Sequence, residues 1–147
     1  MAAAEQGAAG DLSIAEPENL DLSARLFAGM YSRPGYRLTK ADAYKRLAKM
    51  KEGPWQIHEL HLNGTAVGFV LWVDLVEYVF VRSFAIDPKR RRGGMGRAFF
   101  DLLRDDIWPA GRQIRLEVAK GGPWAFWEKL KFKAMTTGMW LFEERKK

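Results

Sequence analysis

The chain contains no cysteine. That one absence excludes a disulfide scaffold, a thiolate metal site and a cysteine nucleophile. Long apolar runs are missing as well. Nowhere does the sequence approach the ~18 consecutive apolar residues of a membrane-crossing helix, so no membrane partner is expected. Histidine is scarce, with only His58 and His61. Three apart in a strand, they face opposite sides and cannot share a metal, so no metal is expected. Residues 1–10 are mostly Ala and Gly and lack both a basic region and an apolar stretch. They do not read as a secretory signal, and a flexible tail is expected there. A cytoplasmic protein is the default reading.

What is present defines a folded domain. The 147 residues are 48% hydrophobic and 13% aromatic, enough for a sizeable core. A single domain over residues 11–147 is expected. Lys and Arg number 24 against 18 Asp and Glu, a net charge of +6, and the pI is near 9.7. That excess points to an anionic partner: nucleic acid, anionic lipid or a phosphorylated cofactor.

The hydrophobic period changes along the chain. Residues 12–14 form a short expected strand. Leu22, Leu26 and Met30 recur at helical spacing, which predicts a helix over 19–31. The stretch 32–35 breaks it. Thr39 is placed to cap a second helix, with Asp42 in a box-like position three residues on. Residues 56–62 alternate, Asn63-Gly64 signals a two-residue turn, and 65–73 is the partner strand. A third strand covers 77–86. Met95, Phe99, Leu102, Leu103 and Ile107 define a helix face ending at Trp108-Pro109. A strand over 113–119, a short helix over 123–131 opened by Pro123, and a closing hairpin around Thr137-Gly138 complete the order. The expected class is mixed α/β, with helices flanking a largely antiparallel central sheet.

Residues 83–100 are the most informative. A buried strand runs into Asp87-Pro88, four consecutive cations follow (Lys89, Arg90, Arg91, Arg92), then a glycine-rich turn, then an amphipathic helix. This is a polyanion cradle. Glycines let backbone N–H groups approach phosphate oxygens, and a helix N-terminus adds partial positive charge. The Walker pattern is absent. A dinucleotide fingerprint would need a small residue where Phe99 stands, although Glu117 lies at a spacing suited to a ribose-binding acid.

The pattern [Q/R]-x-x-G-x-[G/A] fits, as Arg91-Arg92-Gly93-Gly94-Met95-Gly96. It resembles the acetyl-coenzyme A pyrophosphate loop of the GCN5-related N-acetyltransferase (GNAT) family. The preceding apolar-Asp-Pro, the strand Ile114-Arg-Leu-Glu-Val118 and the segment Phe126-Trp-Glu-Lys-Leu-Lys-Phe132 are similar to that family too. The resemblance implies a sheet whose fourth and fifth strands splay apart and an acetyl-CoA-dependent transfer to a primary amine. It implies backbone contacts to the cofactor from Phe84, Ala85 and Ile86. It places the pyrophosphate on Arg91, Arg92, Gly93, Gly94, Met95 and Gly96, with Arg97 adding charge. The acceptor is an amine on a small molecule or peptide, and residues 19–53 are expected to form its side of the site. The sequence is also compatible with a homodimer.

An amine of pKa about 10.4 needs roughly 4.6 kcal/mol to reach its neutral form at pH 7, so a base is expected. Glu77 is the first candidate base and Tyr78 a candidate acid, with Ser83 and Glu117 as further groups near the expected cleft. The sequence departs from the family pattern at three places. Trp127 stands where a catalytic tyrosine is usual, Lys131 where a glycine is usual and Lys120 where an asparagine is frequent. Indole cannot deliver a proton as a phenol does. A non-catalytic acetyl-CoA sensor is therefore one alternative. Another is a basic nucleic-acid-binding protein using Lys89 to Arg92, although no zinc-finger, RNP or helix-turn-helix pattern supports it.

Overall fold

The computed structural model describes residues 11–91, 93–117, 124–135 and 139–142. The expectations for residues 1–10, Arg92, 118–119, Lys120, Pro123 and 137–138 lie outside them.

Among the described residues seven strands form one sheet. They are β1 (Leu12–Ala15), β2 (Gln56–Leu62), β3 (Thr65–Asp74), β4 (Tyr78–Ile86), β5 (Gln113–Glu117), β6 (Lys133–Ala134) and β7 (Met139–Phe142). Their spatial order is β1-β2-β3-β4-β5-β7-β6. Every neighbouring pair is antiparallel except β4 and β5, which run parallel. The helices are α1 (Asp21–Tyr31), α2 (Lys40–Lys51), α3 (Met95–Leu102) and α4 (Trp124–Lys129).

Local signals act where they were expected. The Thr39 side chain accepts from Asp42 N–H at 3.1 Å and starts α2. Asn63 and Gly64 take φ of 53° and 83°, the left-handed pair that closes the β2–β3 hairpin. One helix differs from expectation. The stretch predicted as helix to Ile107 is α only to Leu102 and then winds wider, with Trp108 N–H bonding Leu103 O at 2.8 Å, five residues back. Pro109 holds Trp108 extended, so the chain must leave the helix there, and the Trp108 ring drops against Trp72 and Phe100.

Two apolar clusters sandwich the sheet. On one face α1 and α2 bring Ala24, Phe27 and Leu47 against Ile57, Phe69, Leu71 and Ala85. On the other, Phe99, Phe100, Leu103 and Trp127 meet Val70, Trp72, Val79, Val81 and Leu116. Polar ties fix α1 on the sheet. Ser23 donates to the buried Glu59 carboxylate at 3.1 Å, and Arg25 bonds Asp87 at 3.0 Å. At its end, the Tyr31 hydroxyl donates to Arg82 O at 3.2 Å.

One residue opens the sheet. Leu71 pairs with Ser83 and Trp72 with Val81, so Arg82 is the extra residue of a β-bulge. Before it, Val79 and Val81 face the α3 side; after it, Phe84 and Ile86 do. The parallel ladder to β5 stops at the same place, with Val81 opposite Leu116 as its last pair. Among the described residues, β4 from Arg82 to Ile86 has no β5 partner, while Glu117 of β5 pairs with Met139 of β7. The result is a V-shaped gap between β4 and β5, as expected for a splayed fourth and fifth strand.

Candidate functional site

The wide end of the V meets the glycine-rich loop. Asp87 ends β4 by accepting from Lys89 N–H at 3.1 Å, which nucleates a short turn over Pro88–Arg90. That backbone donor, and then the Arg25 guanidinium, hold the Asp87 carboxyl below its ordinary range. Gly94 then takes φ of 77°, a left-handed conformation that glycine adopts without penalty, and α3 begins. Among the described residues no side chain caps α3, and its first intrahelical bond is Ala98 N–H to Gly94 O. The N–H groups of Met95, Gly96 and Arg97 therefore lack intrahelical partners and aim outward at the helix start.

A cavity of about 870 Å³ extends from those donors along the end of β4 that lies beyond the β5 ladder. Its lining includes Phe84, Ala85, Ile86, Arg91, Gly94 to Arg97, Phe126 and Trp127. Met30 and Ala85 belong to the α1 side of the sheet, and Trp127 and Phe84 to the α3 side, so the cavity crosses the sheet plane at the gap. Gly96 makes the close approach of α4 feasible. A Cβ there would lie 2.8 Å from Phe126 Cε1. Behind the lining, Phe84 stacks on Phe99 at 5.1 Å and meets Trp127 edge-on at 5.2 Å.

The sequence-derived cradle residues come together. Phe84, Ala85, Ile86, Arg91, Gly94, Met95, Gly96 and Arg97 all line the cavity, and Gly93 lies exposed beside it. Arg92 lies outside the described residues. Backbone direction distinguishes the strand positions. Asp87 N–H bonds Val67 O at 2.8 Å on the β3 side, so the carbonyl before it, Ile86 O, turns to the gap, where Arg91 Nε donates to it at 3.1 Å. By alternation the peptide groups of Phe84 and Ile86 face the gap, and those of Ala85 face β3. Among the described residues, Lys89, Arg90, Arg91 and Arg97 take part in no salt bridge.

Glu77 and Tyr78 are not brought to this cavity. Glu77 sits exposed in the β3–β4 turn, its N–H bonded to Leu75 O, and Tyr78 begins β4 where the V is closed. At about 3.3 Å per residue, the five residues from Glu77 to Arg82 span roughly 17 Å. Glu117 is exposed at the described end of β5. Ser83 is buried at the bulge and shares a 2.8 Å hydrogen bond with the Tyr31 hydroxyl. Because Tyr31 donates to Arg82 O, Ser83 is the donor in that pair. His58 and His61 make separate contacts, His58 accepting from Trp72 Nε1 and His61 bonding Glu59. Among the described residues no cluster of potential metal ligands exists, and no helix is long and apolar enough to cross a membrane.

Sequence reading missed Met30, Tyr31 and Arg82. The first two reach the V only because α1 folds across β4, a contact some fifty residues apart in sequence. Arg82 carried a readable signal: the apolar alternation of β4 slips by one position there, from Val79 and Val81 to Phe84 and Ile86.

No family model matches the chain. No curated protein sequence matches it either. Solved structures do match in fold. An acetyltransferase from Thermus thermophilus superposes with a TM-score of 0.72 at 17% identity, covering 91% of this chain and 96% of that one. The ribosomal-protein-S18-alanine N-acetyltransferase from Escherichia coli gives 0.67 at 20% identity, over 93% and 96% of the two chains. The PaiA N-acetyltransferase from Thermoplasma acidophilum, solved in complex with coenzyme A, gives 0.54 at 15% identity, over 92% and 99%. The fold is that of the GNAT acetyltransferases.

Proposed function

We propose that the chain is an acetyl-CoA-dependent N-acetyltransferase that moves an acetyl group directly from the thioester to a primary amine. The observation that carries this reading is the continuous cavity. It starts at the open N–H groups of α3, passes Arg91 and Arg97, which take part in no salt bridge among the described residues, and ends against the end of β4 that lies beyond the β5 ladder. An anionic head with a long, amide-bearing arm fits that shape. The fold neighbours support the reading, since two are named as N-acetyltransferases and one of these was solved with coenzyme A.

The cofactor supplies an acyl group already activated as a thioester. The residues of this chain bind and orient it. Gly93, Gly94, Met95 and Gly96 offer backbone to the diphosphate, and Arg91, Arg92 and Arg97 add charge-assisted hydrogen bonds. The gap-facing peptide groups of Phe84 and Ile86 pair with the arm as an added strand would. Ala85 and Trp127 form walls that exclude water. The apex of the V places an incoming amine next to the bulge, where positioning contributes most of the rate. Glu77 and Tyr78 lie too far along β4 to serve there, and the proposed reading gives them no proton-transfer role.

Thermal melting with acetyl-CoA tests the cofactor. A ligand at 100 times its dissociation constant adds about 2.7 kcal/mol, and Gly94→Asp should remove that shift by placing bulk and negative charge at the anion site. No shift with acetyl-CoA, desulfo-CoA or free CoA overturns the proposal. Thiol release with an amine library tests the transfer. A shift without thiol release identifies a sensor, the reading that Trp127 favours. Salt-sensitive duplex binding indifferent to coenzyme A would favour the nucleic-acid reading.

A further inference from the structure

A second cationic region lies on the α1 side of the sheet, at the apex of the V. Its arginines are held by aromatic rings rather than by carboxylates. The Arg82 guanidinium sits 6.0 Å from the Tyr31 ring centroid and 5.9 Å from that of Trp55. Arg115 lies 4.1 Å over the Tyr78 ring, and its Nε and Nη2 donate to Gln113 Oε1 at 3.2 and 2.9 Å. Phe80, opposite Arg115 across the β4–β5 ladder, meets Trp55 at 6.3 Å. Arg82 is exposed, and the rings are half-buried. Among the described residues neither arginine has a carboxylate partner. Glu117, next along this face of β5, forms no salt bridge with either.

Strand geometry sets the spacing. Arg82 is two positions beyond Phe80 along β4, so its Cα is roughly 8 Å from that of Arg115, from ~3.3 Å per residue and ~4.8 Å between strands. Tyr31 adjoins Met30, which lines the cavity. The patch therefore begins one residue along α1 from the cavity lining. The Arg115 guanidinium, stacked on Tyr78, is oriented before any ligand arrives, Arg82 reaches the same face from the bulge, and their planar donor forks match a carboxylate.

We propose that this face is the acceptor subsite and that the acceptor is a primary amine carrying a carboxylate a few bonds from its nitrogen. The inference rests on the acetyltransferase reading. Arg82 and Arg115 receive the carboxylate, Trp55 and Phe80 form the floor beneath the acceptor's carbon skeleton, and the amine points to the apex beside Ser83. Two sources share this chemistry, a free α-amino acid and the first residues of an acidic peptide.

Matched pairs of acceptors separate them. Thiol release is measured with alanine against alaninamide, and with a peptide amide beginning Ala-Glu against one beginning Ala-Gln. The carboxylate member of at least one pair should show kcat/KM higher by roughly tenfold to a hundredfold, the worth of one charged hydrogen bond. Whichever pair shows it identifies the source. Arg82→Gln and Arg115→Gln should erase that preference through KM, with the melting shift from acetyl-CoA retained. Arg82→Glu should invert it in favour of a lysine-bearing acceptor, a result that loss of packing would not produce. Arg82 is exposed, so its variants keep the test sound where Arg115→Gln fails to fold. Equal turnover of both members in both pairs, a preference unchanged in the variants, or no acetylation of any member by a protein that binds acetyl-CoA overturns the acceptor class. A protein with no acetyl-CoA shift fails earlier, at the proposed function.

Discussion

The two arginine clusters of this protein solve the same electrostatic problem in opposite ways. At the glycine-rich loop, Lys89, Arg90, Arg91 and Arg97 are exposed beside the backbone donors of a helix start. At the V apex, Arg82 and Arg115 rise from strands and lie against rings. The first arrangement suits a flexible polyanion, whose many oxygens accept from whichever donor is near. The second suits a small, planar anion in one orientation, because the cost of ordering a long side chain is met in the fold. Charge count alone does not distinguish them; what holds each guanidinium does.

Phe84 lines the cavity two residues along β4 from Arg82, so removing its ring should weaken both regions. It stacks on Phe99 at 5.1 Å, Trp127 at 5.2 Å and Phe126 at 6.1 Å. Phe84→Ala should cost about 3 kcal/mol in denaturant unfolding, the low end for a core phenylalanine because this one is half-buried. The melting shift with acetyl-CoA and the acceptor preference should both fall. A variant that loses stability yet keeps both functions would show that the aromatic stack supports neither region.

Gly96→Ala should separate the two. Its Cβ would lie 2.8 and 2.9 Å from Phe126 Cε1 and Cζ, so this cavity-lining ring must shift. Overpacking of this kind costs about 1–2 kcal/mol. The acetyl-CoA shift should shrink, while the ratio of kcat/KM between carboxylate and amide acceptors stays as in the parent. A changed ratio would mean that the α3–α4 contact also sets the acceptor face.

The same contrast explains what could be read from the chain. The loop cluster is contiguous, from Lys89 to Arg97, and its function follows from local glycine and helix-start chemistry. The hairpin at Asn63-Gly64 and the Thr39 cap are local for the same reason. The apex cluster is assembled from α1, the approach to β2, β4 and β5, and no short window of sequence contains it. Its one local trace, the slipped alternation at Arg82, reads in isolation as noise within an apolar strand. Glu77 illustrates a related limit. It is adjacent in sequence to the strand that carries the site, but a strand has two ends, and only the topology shows that the V opens at the other one.

A third region supplies the control for both clusters. His58 is buried beside Trp72, whose Nε1 donates to Nδ1 at 3.1 Å, so this ring is neutral and carries its proton on Nε2. Burial lowers its pKa below 6.5, with Glu16 opposing and Lys51 reinforcing the shift. The folded ring therefore binds protons less readily than the unfolded one. Its contribution to stability is fully present above pH 6.5 and is lost as pH falls through the folded value. The loss is bounded by about 1 kcal/mol, the net worth of one hydrogen bond. Melting between pH 7.5 and 5.5 should show a decline that His58→Gln reduces. Asp87 and Asp74 titrate lower, since backbone and arginine donors hold both carboxyls below their ordinary range, and they add their losses only in stronger acid. The His58 decline should be equal with and without acetyl-CoA, because the ring touches neither arginine cluster. A decline that acetyl-CoA suppresses would show that the closed half of the sheet is coupled to the V, and that the two clusters do not act independently of the strands that separate them.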